Sequence, residues 1–219
     1  ALSPGGVLDV TALAAGLQVE AGQKLGGYGT VLGDVVIADG AIVAPGGSIG
    51  ALTNTGSMTW GGAGHYLFEI TNANGSTPGT DWDLLTVDWM TITADATNKF
   101  VIDVQTLTNG SDTSAGAMSG GHWDPNSPYQ WKFLVANNTT FGAGTFNLNW
   151  FDVQTGSFLN TKGDGATFYV ARGGAGGLGG STTDHELYLV YAPIPEPGTL
   201  ALAGIGLAAL GWRLRRRRR

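Results

Sequence analysis

A short repeat near the start of the sequence limits the folds open to this chain more than any other pattern. Residues 19–25 (VEAGQKL) recur as residues 37–43 (IADGAIV), with apolar, Gly and apolar positions each displaced by 18. A third copy, residues 52–58, places Gly56 16 positions after Gly40. This spacing suits one coil of a parallel β-solenoid, in which each coil buries its apolar face by stacking on its neighbours. Three copies are the minimum for that interpretation.

Composition and alternation extend the all-β expectation to the rest of the chain. Gly makes up 37 of 219 residues and charged residues only 13%, with no collagen period, which favours short strands joined by Gly turns. Alternation such as Phe100, Ile102 and Val104 against polar neighbours predicts sheets with one buried face. We expect strands over residues 65–71, 84–93, 100–107, 130–136, 145–153, 167–171 and 186–191.

The predicted fold class is therefore all-β, with parallel β-solenoid coils, a β-rich cap and a single C-terminal transmembrane α-helix. We divide the chain into a solenoid region (1–70), a cap or continued β-helix (71–192) and a terminal segment (193–219). The pattern leaves open whether residues 71–192 continue the solenoid or fold back as a sandwich-like cap. The broken repeat favours a cap, because an open last coil presents unpaired strand edges.

The terminal segment carries an apolar run bounded by Pro and Arg. Residues 199–212 contain no charged residue, so a helix there has no polar face to turn toward water. From Gly198 to Leu214 such a helix would be about 25 Å long, the lower limit for crossing a bilayer. Pro195 and Pro197 set its start, and a cytoplasmic Arg cluster its end, so residues 1–193 lie outside. The predicted anchor residues are Thr199, Leu200, Leu202, Ile205, Leu207, Leu210 and Trp212, and the basic cluster is Arg213, Arg215, Arg216, Arg217, Arg218 and Arg219.

This order of features resembles the PEP-CTERM sorting signal of Gram-negative bacteria. The resemblance covers residues 194–219, with Pro195, Glu196 and Pro197 as the sorting and processing motif. It implies an exosortase as partner, passage through the inner membrane as a transit intermediate, and delivery to the cell surface or the extracellular matrix. The alternative is an ordinary C-terminal membrane anchor.

A second resemblance covers residues 16–70. Residues 25–31 (LGGYGTV), followed by GDV, VIADGA and APGGSIG, are similar to the autotransporter-associated β-strand repeat, and especially to its closing segment. The resemblance implies a passenger-type β-helix at the cell surface, with no catalytic residues. The chain departs from autotransporters where it ends in the predicted helix rather than a translocating barrel.

Charge excludes one class of partner. Residues 1–193 hold five basic and 16 acidic residues, a net charge of about −11, whereas the last seven residues contribute +6. The acidic body would repel phosphate, so nucleic acid is not an expected partner. The absence of Cys excludes a disulfide scaffold. Because the sequence begins at Ala1 without an export signal, we expect it to be the end of a longer precursor.

Candidate chemical sites are few. Asp81, Asp83 and Asp88 could gather oxygen ligands for Ca²⁺, although a solvated strand end explains them as well. The GxGxxG pattern of residues 174–179 precedes a strand rather than a helix, so we interpret it as a flexible loop, and no cofactor is expected.

An enzyme must also be considered, because polysaccharide lyases and hydrolases use β-helices. The carboxylates Glu69, Asp103, Asp124 and Asp152 lie in no recognisable motif, and the three His residues show neither metal-ligand spacing nor a Ser-His-Asp pattern. The aromatic residues Trp123, Trp131 and Trp150 could stack on sugars, but core packing explains them better. We therefore predict an exported structural or adhesive protein that is not an enzyme, with extracellular polysaccharide as a candidate ligand. The alternative is a secreted carbohydrate-binding or carbohydrate-active β-helix protein.

Overall fold

The computed structural model describes residues 1–139, 141, 146–173 and 184–194. These residues form fourteen strands and one short 3₁₀ helix, Leu148–Trp150. The strands are β1 (Val7–Asp9), β2 (Leu17–Val19), β3 (Lys24–Gly27), β4 (Thr30–Leu32), β5 (Val35–Ile37), β6 (Ile42–Pro45), β7 (Ala51–Trp60), β8 (His65–Ile70), β9 (Leu84–Ile92), β10 (Phe100–Thr106), β11 (Tyr129–Ala136), β12 (Phe151–Ser157), β13 (Thr167–Arg172) and β14 (Glu186–Ala192).

The strands form two sheets between which the chain alternates. The smaller sheet has the order β12-β10-β8-β6-β3, and all of its pairs are parallel. The larger sheet has the order β1-β4-β7-β9-β11-β14-β13, with β2 and β5 completing it beside β7. We call one passage through the larger sheet followed by one through the smaller a circuit. The five circuits are β1–β3, β4–β6, β7–β8, β9–β10 and β11–β12.

Strand register confirms the first predicted repeat and corrects the second. Val19 pairs with Ile37 and Leu25 with Val43, the predicted displacement of 18. The third copy was wrong, because Ile37 pairs with Trp60, a displacement of 23. Gly56 lies inside β7, where the register against β9 shifts, and not in a turn as the repeat required. The register follows burial, since the side chain of Trp60 is fully buried.

Later circuits are longer because their connections grow. Leu52 pairs with Leu85, a displacement of 33, and Phe100 pairs with Phe151, a displacement of 51. Both sheets nevertheless continue across residue 70, because β8 pairs with β10 in the smaller sheet and β7 pairs with β9 in the larger sheet. The division into regions 1–70, 71–192 and 193–219 stays a prediction.

The core lies between the two sheets and is rich in aromatic rings. Phe100, Ile102 and Val104 of β10 are buried while the residues between them are half-buried, which confirms the predicted alternation. Tyr66 and Phe68 of β8 meet the ring of Phe133 of β11 edge-on, at centroid distances of 5.3 and 6.4 Å. Aromatic rings of the third and fifth circuits thus bind the two sheets together.

The last two strands break the parallel pattern. β14 pairs antiparallel with β11, and β13 pairs antiparallel with β14. The two parallel sheets therefore continue to Ser157 at the end of β12, and an antiparallel pair follows at the end of the larger sheet. β14 thus covers the edge of β11, the last parallel strand of the larger sheet, and the parallel pairing does not continue beyond it.

The strand predictions fail at one place. Six of the expected strands are confirmed to within two residues, but residues 146–153, the described part of the strand expected over 145–153, do not form one strand. Leu148–Trp150 is a 3₁₀ turn in which the Asn147 side chain accepts a hydrogen bond from the backbone N–H of Asn149. This local bond competes with strand pairing and leaves Leu148 exposed, so the strand begins only at Phe151.

The described residues contain no helix that is long and apolar enough to cross a membrane. The predicted membrane helix over residues 199–212 lies outside them, as does the glycine-rich loop of residues 174–179. The all-β fold class and parallel sheets are confirmed for the described part of the chain. The resemblance to the autotransporter-associated repeat stays a prediction.

Candidate functional site

The strand that leads to the terminal segment is held on both sides. β14 pairs with β11 and β13, and the described chain ends two residues later at Ile194. The fully buried Tyr191 fixes this strand, because its hydroxyl donates to the carbonyl oxygen of Pro125 at 2.7 Å and accepts from the N–H of Gly163 at 2.9 Å. The terminal segment therefore follows a strand that is paired on both edges.

The other face of β14 carries an ion pair. Lys132 Nζ of β11 lies 3.0 Å from Glu186 Oε1, and the Tyr188 hydroxyl donates to Glu186 Oε2 at 2.6 Å. The side chains of Lys132 and Glu186 are 32% and 14% exposed, so water screens this pair only in part. Polar contacts on one face and the Tyr191 bonds on the other therefore hold β14 in place.

The residues predicted to carry sorting lie beyond this point. Pro195, Glu196 and Pro197, the anchor residues from Thr199 to Trp212 and the Arg cluster are all outside the described residues. Their roles remain sequence predictions. The structure contributes the geometry of the strand that presents them.

The calcium candidates bind separate partners. Asp81 Oδ2 accepts from the N–H groups of Ser76 and Thr77, whereas Asp88 Oδ1 accepts from the Asn137 amide. Asp83 is fully buried and accepts from two other backbone groups. Within residues 1–139, 141, 146–173 and 184–194, no three His, Asp or Glu side chains come together as a metal site would require.

Asp83 belongs instead to a pair of buried acids at a corner between the sheets. Its two oxygens accept from the N–H groups of Gly50 at 2.8 Å and Glu69 at 2.9 Å. Burial raises the pKa of Asp83 well above its usual range, and the nearby Glu69 carboxyl raises it further. Burial also raises the pKa of Glu69, whose Oε1 accepts from Gln105 at 2.9 Å. Sequence reasoning missed this pair, although Asp83 shares the inward parity of Leu85 and Val87.

The remaining acid and base candidates are dispersed. His65 Nδ1 lies 2.7 Å from Asp103 Oδ2 on the outer face of the smaller sheet, with both side chains about one-third exposed. His122 and His185 bond the backbone oxygens of Thr71 and Thr139 respectively. Asp103, one of the four carboxylates considered for a glycosidase cleft, thus has the His65 imidazole as its partner.

Asp124 and Asp152 bond locally. Hydrogen bonds from the backbone of Asn126 and the side chain of Ser127 lower the pKa of Asp124. Asp152 accepts from Gln154, two residues along β12.

Three Trp residues proposed as sugar-stacking candidates pack on the core. Trp131 is buried, and Trp123 stacks on Tyr129 with centroids 5.0 Å apart. Trp150 is half-buried beside Phe146. Among the described residues, the exposed indole is that of Trp89, 55% accessible on β9, which the sequence analysis did not single out as a stacking candidate. A register shift beside it, between β7 and β9, turns both Asp88 and Trp89 away from the core.

Comparison with known proteins identifies the terminal segment. The family described as PEP-CTERM protein-sorting motif matches residues 193–217. This motif implies sorting by an exosortase and export through the membrane to the cell surface. No curated protein matches the chain.

Proposed function

We propose that the body of this chain is a β-solenoid displayed at the cell surface or in the extracellular matrix, where it has a structural or adhesive role. The exosortase would process the chain near Pro195, Glu196 and Pro197 while residues 199–212 span the inner membrane of a Gram-negative bacterium. The body would then pass to the surface. The proposed role is not catalytic.

The observation that carries this proposal is the continuity between the stacked circuits and the sorting motif. β14 is paired on both edges within the larger sheet, and the matched segment begins at Pro193, the residue after it. A stack of parallel circuits presents a long, regular surface for its size, which suits display and adhesion. The acidic excess of the body favours solubility in an extracellular matrix.

The proposal is tested by mass spectrometry of the mature C-terminus in the native host. We expect cleavage near the Pro195–Pro197 motif and loss of the Arg cluster. The variant Glu196→Ala alters the motif itself and is expected to accumulate unprocessed chain. A mature protein that retains Arg219 would contradict processing and leave a plain membrane anchor.

Trp89 supports a second candidate function, a surface that binds carbohydrate. Its indole is exposed in the middle of a strand, opposite Ser57, with the Asp88 carboxylate beside it. An exposed aromatic face next to polar hydrogen-bonding groups is the arrangement that sugar rings use for stacking. The mature protein would be screened for retention on immobilised polysaccharides and for release of oligosaccharide. Binding lost in Trp89→Ala supports this candidate, whereas release of oligosaccharide would contradict the non-catalytic role.

A further inference from the structure

Apart from Trp89 in the fourth circuit, the exposed large hydrophobic side chains of the described residues lie near the two ends of the stack of circuits. One group lies in or beside the last strands, next to the point where the chain leaves the body. We call this group the exit surface, and it consists of Leu159 (52% exposed), Tyr169 (42%) and Ile194 (57%).

Local packing places these three residues at the same end. Tyr169 lies on β13, the terminal strand of the larger sheet, and Leu159 follows Phe158, whose ring packs on Phe168 of β13 at 5.0 Å. Ile194 lies against the turn that precedes β13, since a Cβ on Gly165 would come within 2.8 Å of Ile194 Cδ1. The exit surface is thus built from the final strand and its flanking loops.

The chain beyond Ile194 limits how far this surface can lie from a membrane. The predicted span begins at Thr199, five residues later, and a Pro-containing linker covers about 16 Å at roughly 3.1 Å per residue. A headgroup layer is about 6 Å thick, as half the difference between the whole bilayer and its hydrocarbon core. Ile194 therefore lies within about 10 Å of the lipid surface whenever the span is inserted.

We propose that the exit surface lies against the lipid headgroup layer during membrane transit, so that the body is docked on the bilayer rather than swinging on its linker. Tyr and aliphatic side chains are favoured at this depth. The loop between β12 and β13 carries Lys162 and Asp164, so it does not share the acidic excess of the body. This inference rests on the proposed function, because it requires an inserted terminal segment.

The chain contains no Cys, so single-cysteine labelling reports one position at a time. Leu159→Cys and Tyr169→Cys on the exit surface are compared with Leu13→Cys, which is similarly exposed (49%) in the first circuit. Trp212→Cys reports the predicted span. Each full-length variant is labelled with an environment-sensitive fluorophore and reconstituted into phosphatidylethanolamine and phosphatidylglycerol vesicles that contain a headgroup nitroxide lipid.

We expect loss of fluorescence at positions 159, 169 and 212, and none beyond the nitroxide-free control at position 13. Quenching at 212 alone would overturn docking and leave the proposed sorting function in place. Quenching at 13 equal to that at 159 would overturn docking as well, because the body would then adhere without a preferred face. No quenching at any position would show that the terminal segment does not insert, which contradicts the membrane step of the proposed function too.

Discussion

The indole of Trp60 lies parallel to the ring of Phe100, with the ring centroids 4.2 Å apart and the planes 2° from parallel. Trp60 ends β7 in the larger sheet, and Phe100 begins β10 in the smaller sheet of the next circuit. Phe151, which begins β12, meets both rings edge-on at 6.4 Å. Three successive circuits therefore share one aromatic contact between the sheets.

Replacing Trp60 by Ala removes the centre of this cluster. We expect the free energy of unfolding to fall by about 3–5 kcal/mol, because a large cavity opens where the side chain is fully buried. Trp89→Ala is the matched control, and its effect should stay within about 0.5 kcal/mol because that indole is exposed. Equilibrium denaturation of the full-length variants in detergent micelles measures both. Equal effects of the two substitutions would contradict the assignment of the core.

Gly56 gives a prediction about the backbone. A Cβ at this position would overlap the backbone carbonyl of Gly33 in the preceding circuit, where no flexible side chain can give way. Gly56→Ala is therefore expected to destabilise by about 1–3 kcal/mol through overpacking. Gly156 also lies within a strand, but a Cβ there meets nothing within 4 Å, so Gly156→Ala should be nearly neutral. Thermal unfolding followed by circular dichroism compares them, and a larger loss at Gly156 would refute this account.

The sequence predicted those parts of the fold that depend on local patterns. Strand positions and the inward parity of Phe100, Ile102 and Val104 follow from alternation, and the register of Val19 on Ile37 follows from a repeat only 18 residues long. The register of Ile37 on Trp60 could not be predicted the same way. This register depends on which large side chain fills the space between the sheets. A search for sequence repeats does not detect how side chains pack.

Like the strands, the candidate site could be predicted from the sequence where it depends on a local pattern. The sorting motif is a matter of composition and order at the chain end, and the match to residues 193–217 confirms it. The burial of Asp83 depends on the backbone N–H groups of Gly50 and Glu69, and Gly50 is 33 positions away along the chain. No spacing rule marks such partners, so the sequence suggested for this carboxylate only a calcium ligand or a place at a solvated strand end.

The buried acids predict how stability depends on pH. Burial raises the pKa of both Asp83 and Glu69 in the folded state, so folding favours their protonated forms. Their contribution is most favourable below the unfolded pKa and is lost as pH rises through the folded pKa. Glu69→Gln removes one titrating group and its repulsion on Asp83. We expect the variant's free energy of unfolding to fall less than that of the wild type as pH rises from acidic to neutral values.

The contrasting variant is Asp95→Asn. Hydrogen bonds from the Thr97 side chain and from the backbone N–H groups of Asn98 and Thr97 lower the pKa of the exposed Asp95. Its contribution is therefore present above the unfolded pKa and is lost as pH falls through the folded pKa. The advantage of the wild type over Asp95→Asn should shrink toward acidic pH, opposite to the trend for Glu69→Gln. Denaturant unfolding at a series of pH values measures the free energy of unfolding of the wild type and both variants. The same pH dependence in the two variants would contradict the burial argument.

Tyr191 predicts how firmly the terminal segment is held. Tyr191→Phe keeps the ring but removes a donor to the Pro125 carbonyl and an acceptor for the Gly163 N–H. Leaving such groups without partners should cost about 1–3 kcal/mol. The loss should also appear locally as faster hydrogen exchange in β14 and in the loop around Gly163, because these bonds join that loop to the strand. Tyr169→Phe is the control, since its hydroxyl lies on an exposed side chain where water can replace its bonds. If exchange in β14 is unchanged in Tyr191→Phe, strand pairing with β11 and β13 alone holds the segment that leads to the sorting motif.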